Sequence, residues 1–80
     1  MAGIMDKLHF IRKSLNDRDR SENTVILLNQ LKNDDEYLPV YKVSIKILAL
    51  ATLDLLEIEK YNGSDDDVQL WKENLQYLME

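Results

Sequence analysis

The side chains in this sequence that could do chemistry are mainly carboxylates, and the most conspicuous of them form two clusters. The clusters are Asp34-Asp35-Glu36 and Asp65-Asp66-Asp67. Carboxylates bind Ca²⁺ when they alternate along a loop that has a glycine at its sharp turn, and neither cluster has that spacing. We therefore predict no metal site in either cluster. We expect the first cluster to form a solvated loop.

The remaining polar residues do not support catalysis. His9 is the only histidine and the chain has no cysteine, which excludes a disulfide, a thiolate nucleophile and a multi-histidine zinc site within one chain. Gly3 and Gly63 are the only glycines, too few for a phosphate-binding loop, and no cofactor motif is recognisable. Asp54 has no neighbouring base or nucleophile, so we expect it to be hydrogen-bonded at the edge of the core. The sequence therefore predicts a non-enzymatic protein without a cofactor.

Length and composition indicate a single helical domain over residues 1–80 that is able to bury a modest core. The hydrophobic fraction is 45%, and the net charge of −5 is opposite in sign to a duplex-binding surface. This charge favours a basic protein partner over nucleic acid. We expect no secretory signal and no membrane span, because charges interrupt every apolar run. The absence of cysteine is consistent with a cytoplasmic location.

A long third helix over residues 40–61 organises the predicted fold. Its apolar residues recur mostly at spacings of three and four. Pro39 suits the first helical position, and Asn62-Gly63 suits a left-handed stop after the last turn. One broad apolar face contains Val40, Val43, Ile47, Leu48, Leu50, Ala51, Leu55, Ile58 and Tyr61. The β-branched residues in the first half argue mildly against a helix there.

Three further helices complete an all-α fold, a small four-helix bundle. They are predicted at residues 4–15, 22–33 and 65–79. Ser21 and Ser64 are the predicted N-caps of the second and fourth helices, and the aspartates after Ser64 suit the positive end of a helix dipole. We expect Trp71 to be a core anchor and Ile26 to be partly exposed.

The sequence leaves open an alternative for residues 57–71. Residues 57–61 alternate like a strand, Asn62-Gly63 is typical of a hairpin, and residues 68–71 could form the return strand. That arrangement would make a winged-helix module for nucleic-acid binding or assembly. The loop would be longer than a tight Asn-Gly turn, and the capping signals at Ser64 favour a helical hairpin instead.

Four apolar residues, which we call the second seam, lie opposite the broad face of the predicted third helix. They are Ile45, Ala49, Leu53 and Leu56. A helix that is apolar on two sides is surrounded, and the pattern favours cover by its own chain over cover by another molecule. Because helices one and two are short and helix four must lie along one flank, we also hypothesise that the second seam stays partly open and binds a partner or a second copy as a homodimer. The function predicted is a small acidic protein-protein interaction or regulatory module, such as an inhibitor or adaptor.

Overall fold

Four helices and one short β-hairpin make up the chain in the computed structural model, which describes residues 3–78. The elements are α1 (Ile4–Asp17), α2 (Glu22–Leu31), β1 (Tyr37–Leu38), β2 (Val43–Ser44), α3 (Ile45–Leu55) and α4 (Asp66–Leu78). The two strands are antiparallel, with Tyr37 opposite Ser44 and Leu38 opposite Val43. The mostly helical fold is as predicted, and the hairpin was not predicted.

The central helix is α3, which packs against α1, α2 and α4. It has 11 residues, fewer than the 14 of α1 or the 13 of α4, so the prediction of a long third helix is not confirmed. Six of its residues are buried: Ile45, Leu48, Ala49, Ala51, Thr52 and Leu53. Because α3 has only 11 residues, α1, α2 and α4 cover it on most sides.

The start of α3 differs from the prediction because residues 40–44 form a turn and a strand. Pro39 does not open a helix but lies in the turn between β1 and β2. Ser44 is the N-cap of α3, and its hydroxyl accepts a hydrogen bond from the Ile47 N–H at 3.4 Å. A proline fixes the backbone angle that a turn needs equally well, so its position before an apolar run did not mark a helix start.

The first turn of α3 is also capped by the loop after α2. The backbone N–H groups of Ile45 and Lys46 donate to the carbonyl oxygens of Glu36 and Asp34, each at 2.8 Å. The first N–H groups of a helix have no partner within the helix and need one elsewhere. The hairpin and its preceding loop therefore fix where α3 begins.

The end of α3 is a left-handed cap at Glu57. Glu57 has φ of 59°, its N–H donates to the Asp54 carbonyl at 3.0 Å, and the Ile58 N–H donates to the Leu53 carbonyl at 3.0 Å. This pair of bonds is the Schellman motif, which usually has glycine at the left-handed position. The prediction that Asn62-Gly63 ends the helix is wrong, because Glu57 adopts the stop conformation earlier in the chain.

Replacing Glu57 with glycine is expected to stabilise the fold by about 0.5–1 kcal/mol. The left-handed conformation costs an L-residue roughly 1–2 kcal/mol, and glycine avoids this cost while losing about 0.5–1 kcal/mol more backbone entropy on folding. The urea midpoint of Glu57→Gly should rise without a change of slope. Glu57→Ala is the control, since it removes the same side chain but keeps a Cβ. An equal rise in both variants would contradict the conformational explanation.

The C-terminal segment forms the helical hairpin and not the β-wing. Residues 57–71 contain no strand in the part of the chain that the structure describes, and α4 begins at Asp66. The predicted N-cap of α4, Ser64, is wrong by one residue, because Asp65 is the residue that caps this helix. The Asp65 carboxylate accepts a hydrogen bond from the Asp67 N–H at 2.9 Å, and its carbonyl accepts one from Val68 at 3.2 Å. The predicted end of this helix, Met79, lies outside the described residues.

Candidate interaction surface

The second seam lies inside the folded chain. Ile45, Ala49, Leu53 and Leu56 are 0%, 0%, 1% and 4% exposed. The prediction that this seam is partly open is therefore wrong, because α1, α2 and α4 all pack on α3. Parts of the predicted broad face are less covered, and Ile47, Leu50 and Leu55 are only partly buried. Partner binding by the second seam stays a prediction that would require the core to open.

Exposed apolar side chains lie instead at other places on the described surface. The large apolar residues that are exposed are Met5, Ile26, Tyr37, Val40 and Leu70. Ile26 is 48% exposed, in agreement with the prediction, and Val40 is 88% exposed. Val40 does not belong to a helical core face, since it lies in the turn of the hairpin.

Two of these exposed residues are the chain neighbours of an aromatic pair. Tyr41 and Trp71 meet edge to face, with ring centroids 6.3 Å apart and planes inclined at 75°. Val40 precedes Tyr41 in the chain, and Leu70 precedes Trp71. Val40 and Leu70 are 88% and 51% exposed, whereas both rings are partly buried against the core. We call Val40, Tyr41, Leu70 and Trp71 the aromatic patch.

Two elements bring the aromatic patch together. The turn between β1 and β2 carries Tyr41, and Lys42 turns the chain with φ of 55°. On α4, Val68 and Leu75 are 0% exposed and fix the buried side of the helix. Trp71 is three residues after Val68 and four before Leu75, so it lies at the margin of that side. Trp71 thus packs on the core as predicted, but it remains only partly buried.

Acidic side chains surround Leu70 on the outer side of α4. Asp66, Asp67 and Glu73 are each three or four residues from Leu70, the spacing of neighbours on a helix surface, and all three are exposed. Lys42 follows Tyr41 in the chain. The α4 end of the patch is therefore an apolar side chain within a negatively charged surface.

A second polar site joins α3 to α4 at Asp54. One carboxylate oxygen accepts a hydrogen bond from the Tyr61 N–H at 2.9 Å, and the other lies 3.0 Å from the Lys72 ammonium. Burial raises the pKa of the Asp54 carboxyl, but the Tyr61 N–H and the Lys72 charge outweigh it, so the pKa lies below its ordinary value. As predicted, Asp54 is hydrogen-bonded at the edge of the core. Each of its two oxygens has one partner, so the carboxylate links the loop after α3 to α4.

The loop after α3 is organised around the Tyr61 ring. The Tyr61 hydroxyl accepts a hydrogen bond from the Asp65 N–H at 3.1 Å. A Cβ at Gly63 would lie 2.2 Å from that hydroxyl oxygen, so the ring sits where a side chain on residue 63 would be. An open cleft of about 560 Å³ lies beside this loop, lined by Asp54, Leu55, Glu57, Lys60, Lys72 and Gln76. Its central carboxylate is already neutralised by a lysine, which favours a structural role.

The acidic cluster of residues 34–36 is not simply solvated. The Lys7 ammonium of α1 forms an ion pair with Asp34 and another, at 2.9 Å, with Glu36. Hydrogen bonds to Asp34 and then Glu36 raise the pKa of Lys7, and the bond from Lys7 is the main reason that the pKa of Asp34 is lowered. These two ion pairs therefore connect α1 to the loop that caps α3.

The aromatic patch could not be found from the helical pattern, because that pattern placed Val40 and Tyr41 within a helix. The available signals were local. Pro39 suits a turn, Val43 is β-branched, and Ser44 is a good N-cap just before the apolar run. On α4, the buried positions Val68 and Leu75 imply that Leu70 faces outward.

The described residues contain no group of three or more His, Cys, Asp or Glu side chains that could hold a metal ion. None of their helices is long and apolar enough to cross a membrane. Every buried side-chain nitrogen or oxygen in this part of the chain has a hydrogen-bond partner. No protein-family model matches the chain, and comparisons with curated proteins and with solved structures also gave no match.

Proposed function

We propose that this chain is a small acidic, non-enzymatic interaction module that binds a basic protein segment through the aromatic patch. Such a module would act as an adaptor or an inhibitor, by occupying its partner. The observation that carries this proposal is the exposure of Val40 and Leu70, which are the chain neighbours of the paired rings Tyr41 and Trp71.

The chemistry of the aromatic patch supports protein binding. Tryptophan and tyrosine are enriched among residues that dominate binding energy, because they bury large areas and keep a polar group available. Here the two rings already contact each other, with centroids 6.3 Å apart, so little side-chain conformational freedom would be lost on binding. Exposed aliphatic residues beside such a pair extend the apolar contact area.

The surrounding charge supports a basic partner. Asp66, Asp67 and Glu73 are exposed within one helical turn of Leu70, and the whole chain carries a net charge of −5. A lysine or arginine beside an apolar anchor residue would therefore meet opposite charge when the anchor contacts Leu70. Binding should weaken as salt is added, since these charges are exposed and screened.

The test is a selection of random displayed peptides on the folded full-length chain, followed by titration of the selected peptides. We expect the selected sequences to combine basic residues with an aromatic or aliphatic anchor. Leu70→Ser should weaken their binding, whereas Ile26→Ser should not. The two positions are matched, because Leu70 and Ile26 are helix-surface aliphatic residues that are 51% and 48% exposed.

Two outcomes would overturn the proposal. One is a set of selected peptides without excess basic charge. The other is binding that survives Leu70→Ser and Val40→Ser together while the fold, monitored by circular dichroism, is intact. Self-association of the chain that disappears in the same variants would replace the basic partner with a second copy.

A further inference from the structure

We propose that Asn62 is a site of spontaneous modification, at which deamidation to isoaspartate opens the connection between α3 and α4. The reaction needs no enzyme and no co-reactant other than water. It is independent of the proposed binding function, because it depends only on the Asn62-Gly63 peptide and the residues packed around it.

The reaction is an intramolecular attack by a backbone nitrogen. The Gly63 nitrogen loses its proton and bonds to the side-chain carbonyl carbon of Asn62, and the side-chain nitrogen leaves as ammonia. Water then opens the resulting five-membered imide. If the bond to the side-chain carbon breaks, the product is aspartate. If the bond to the main-chain carbonyl carbon breaks, the product is isoaspartate, and the backbone runs through the side chain.

The local structure permits this attack at Asn62. Asn62 and Gly63 are exposed and lie outside the helices and strands. Glycine offers no side chain that would hinder the approach of its own nitrogen. Within the described residues the Gly63 N–H has no hydrogen-bond acceptor, so no bond has to break before the nitrogen moves.

The fold disfavours deamidation at the other five asparagines. Asn16, Asn23, Asn29 and Asn74 lie within helices, where the fixed backbone angle holds the next nitrogen away from the side-chain carbon. Asn33 follows α2, but its side-chain nitrogen donates to the Asn29 carbonyl at 3.4 Å. The N–H that follows it, that of Asp34, donates to the Leu31 carbonyl at 3.0 Å.

The consequence follows from the close packing at Gly63. Isoaspartate adds one carbon to the backbone between Tyr61 and Gly63, and so displaces Gly63 relative to the Tyr61 ring. The Tyr61 ring occupies the space beside Gly63, since a Cβ on Gly63 would lie 2.2 Å from the hydroxyl oxygen. The Tyr61 hydroxyl would then lose its hydrogen bond from Asp65. Plain aspartate at position 62 adds charge without lengthening the backbone.

The experiment is incubation of the purified full chain at mildly alkaline pH and body temperature, with peptide mapping by mass spectrometry. We expect Asn62 to be converted before any other asparagine is detectably changed, with isoaspartate present among the products. Conversion of Asn33 or a helical asparagine first, or an unchanged Asn62 in a chain that deamidates there when unfolded, would overturn the proposal.

A second measurement tests the structural consequence. The isoaspartate species is separated by ion exchange and its melting temperature is compared with that of Asn62→Asp. We expect a lower melting temperature for isoaspartate, because both proteins carry the new charge and only one has the longer backbone. Equal melting temperatures would show that the connection tolerates the change and would overturn the proposed opening. Asn62→Gln, whose longer side chain disfavours the five-membered ring, should remain unmodified.

Discussion

Leu53→Asp is expected to unfold the chain at every protein concentration. Leu53 is 1% exposed and lies in the last turn of α3. Truncating a buried leucine to alanine costs about 2–5 kcal/mol, and a buried unpaired carboxylate costs several kcal/mol more. Small domains are stable by only roughly 5–15 kcal/mol, so the sum removes most or all of the folding free energy. Circular dichroism over a dilution series would show the loss of helix.

Two control variants separate core packing from a general effect of substitution. Leu53→Met preserves volume and apolar character, and should cost less than about 1.5 kcal/mol. Leu70→Asp introduces the same charge at an exposed position and should leave the fold intact. A folded monomer of Leu53→Asp that has lost the ability to associate would contradict the structure and restore the second seam as an interface.

Asp54→Ala is expected to lower stability by about 1–3 kcal/mol at neutral pH, since it leaves the Tyr61 N–H and the Lys72 ammonium without their acceptor. Asp54→Asn should cost less, because an amide oxygen can still accept from Tyr61 although it no longer neutralises Lys72. In urea denaturation we therefore expect the free energy of unfolding to be highest for the wild type, lower for Asp54→Asn and lowest for Asp54→Ala. An alanine variant as stable as the wild type would mean that this junction contributes nothing to the fold.

The Asp54 contribution should also depend on pH in a defined direction. The folded-state pKa of Asp54 is lower than its ordinary value of 3.8, so the folded state favours the ionised form. Its stabilising effect is complete above the ordinary pKa and is lost as the pH falls through the lower folded value. The stability difference between wild type and Asp54→Ala should narrow in that acidic range. A difference that stays constant there would rule out an ionic origin.

The helices that the sequence predicts best are those with a clear apolar period. The spacing of Leu8, Ile11 and Leu15 places α1, and all three residues are buried. On α4, Val68 and Leu75 are predicted and observed to face the core. In these segments only one face is apolar, so the helical period has a single interpretation.

The boundaries of α3 could not be predicted in this way, because they depend on contacts with other parts of the chain. Its first N–H groups are capped by carbonyl oxygens of Asp34 and Glu36, which precede the hairpin. Its last turn stops at Glu57 in a left-handed conformation that sequence patterns assign to glycine. In both cases tertiary hydrogen bonds override the local apolar pattern.

The exposure of the second seam was mispredicted for a related reason. The wheel pattern predicts correctly that α3 is apolar on two sides, but not which side other helices cover. Packing of α1, α2 and α4 buries Ala49 and Leu53. Two of the exposed side chains, Val40 and Leu70, lie in the turn and on the outer side of α4.

Binding through the aromatic patch is tested by a calorimetric titration of one selected basic peptide into the wild type, Leu70→Ser and Ile26→Ser. We expect Leu70→Ser to lose affinity, Ile26→Ser to keep it, and added salt to weaken binding to the wild type. Equal affinities for the two variants, or a loss confined to Ile26→Ser, would contradict the assignment of binding to the aromatic patch.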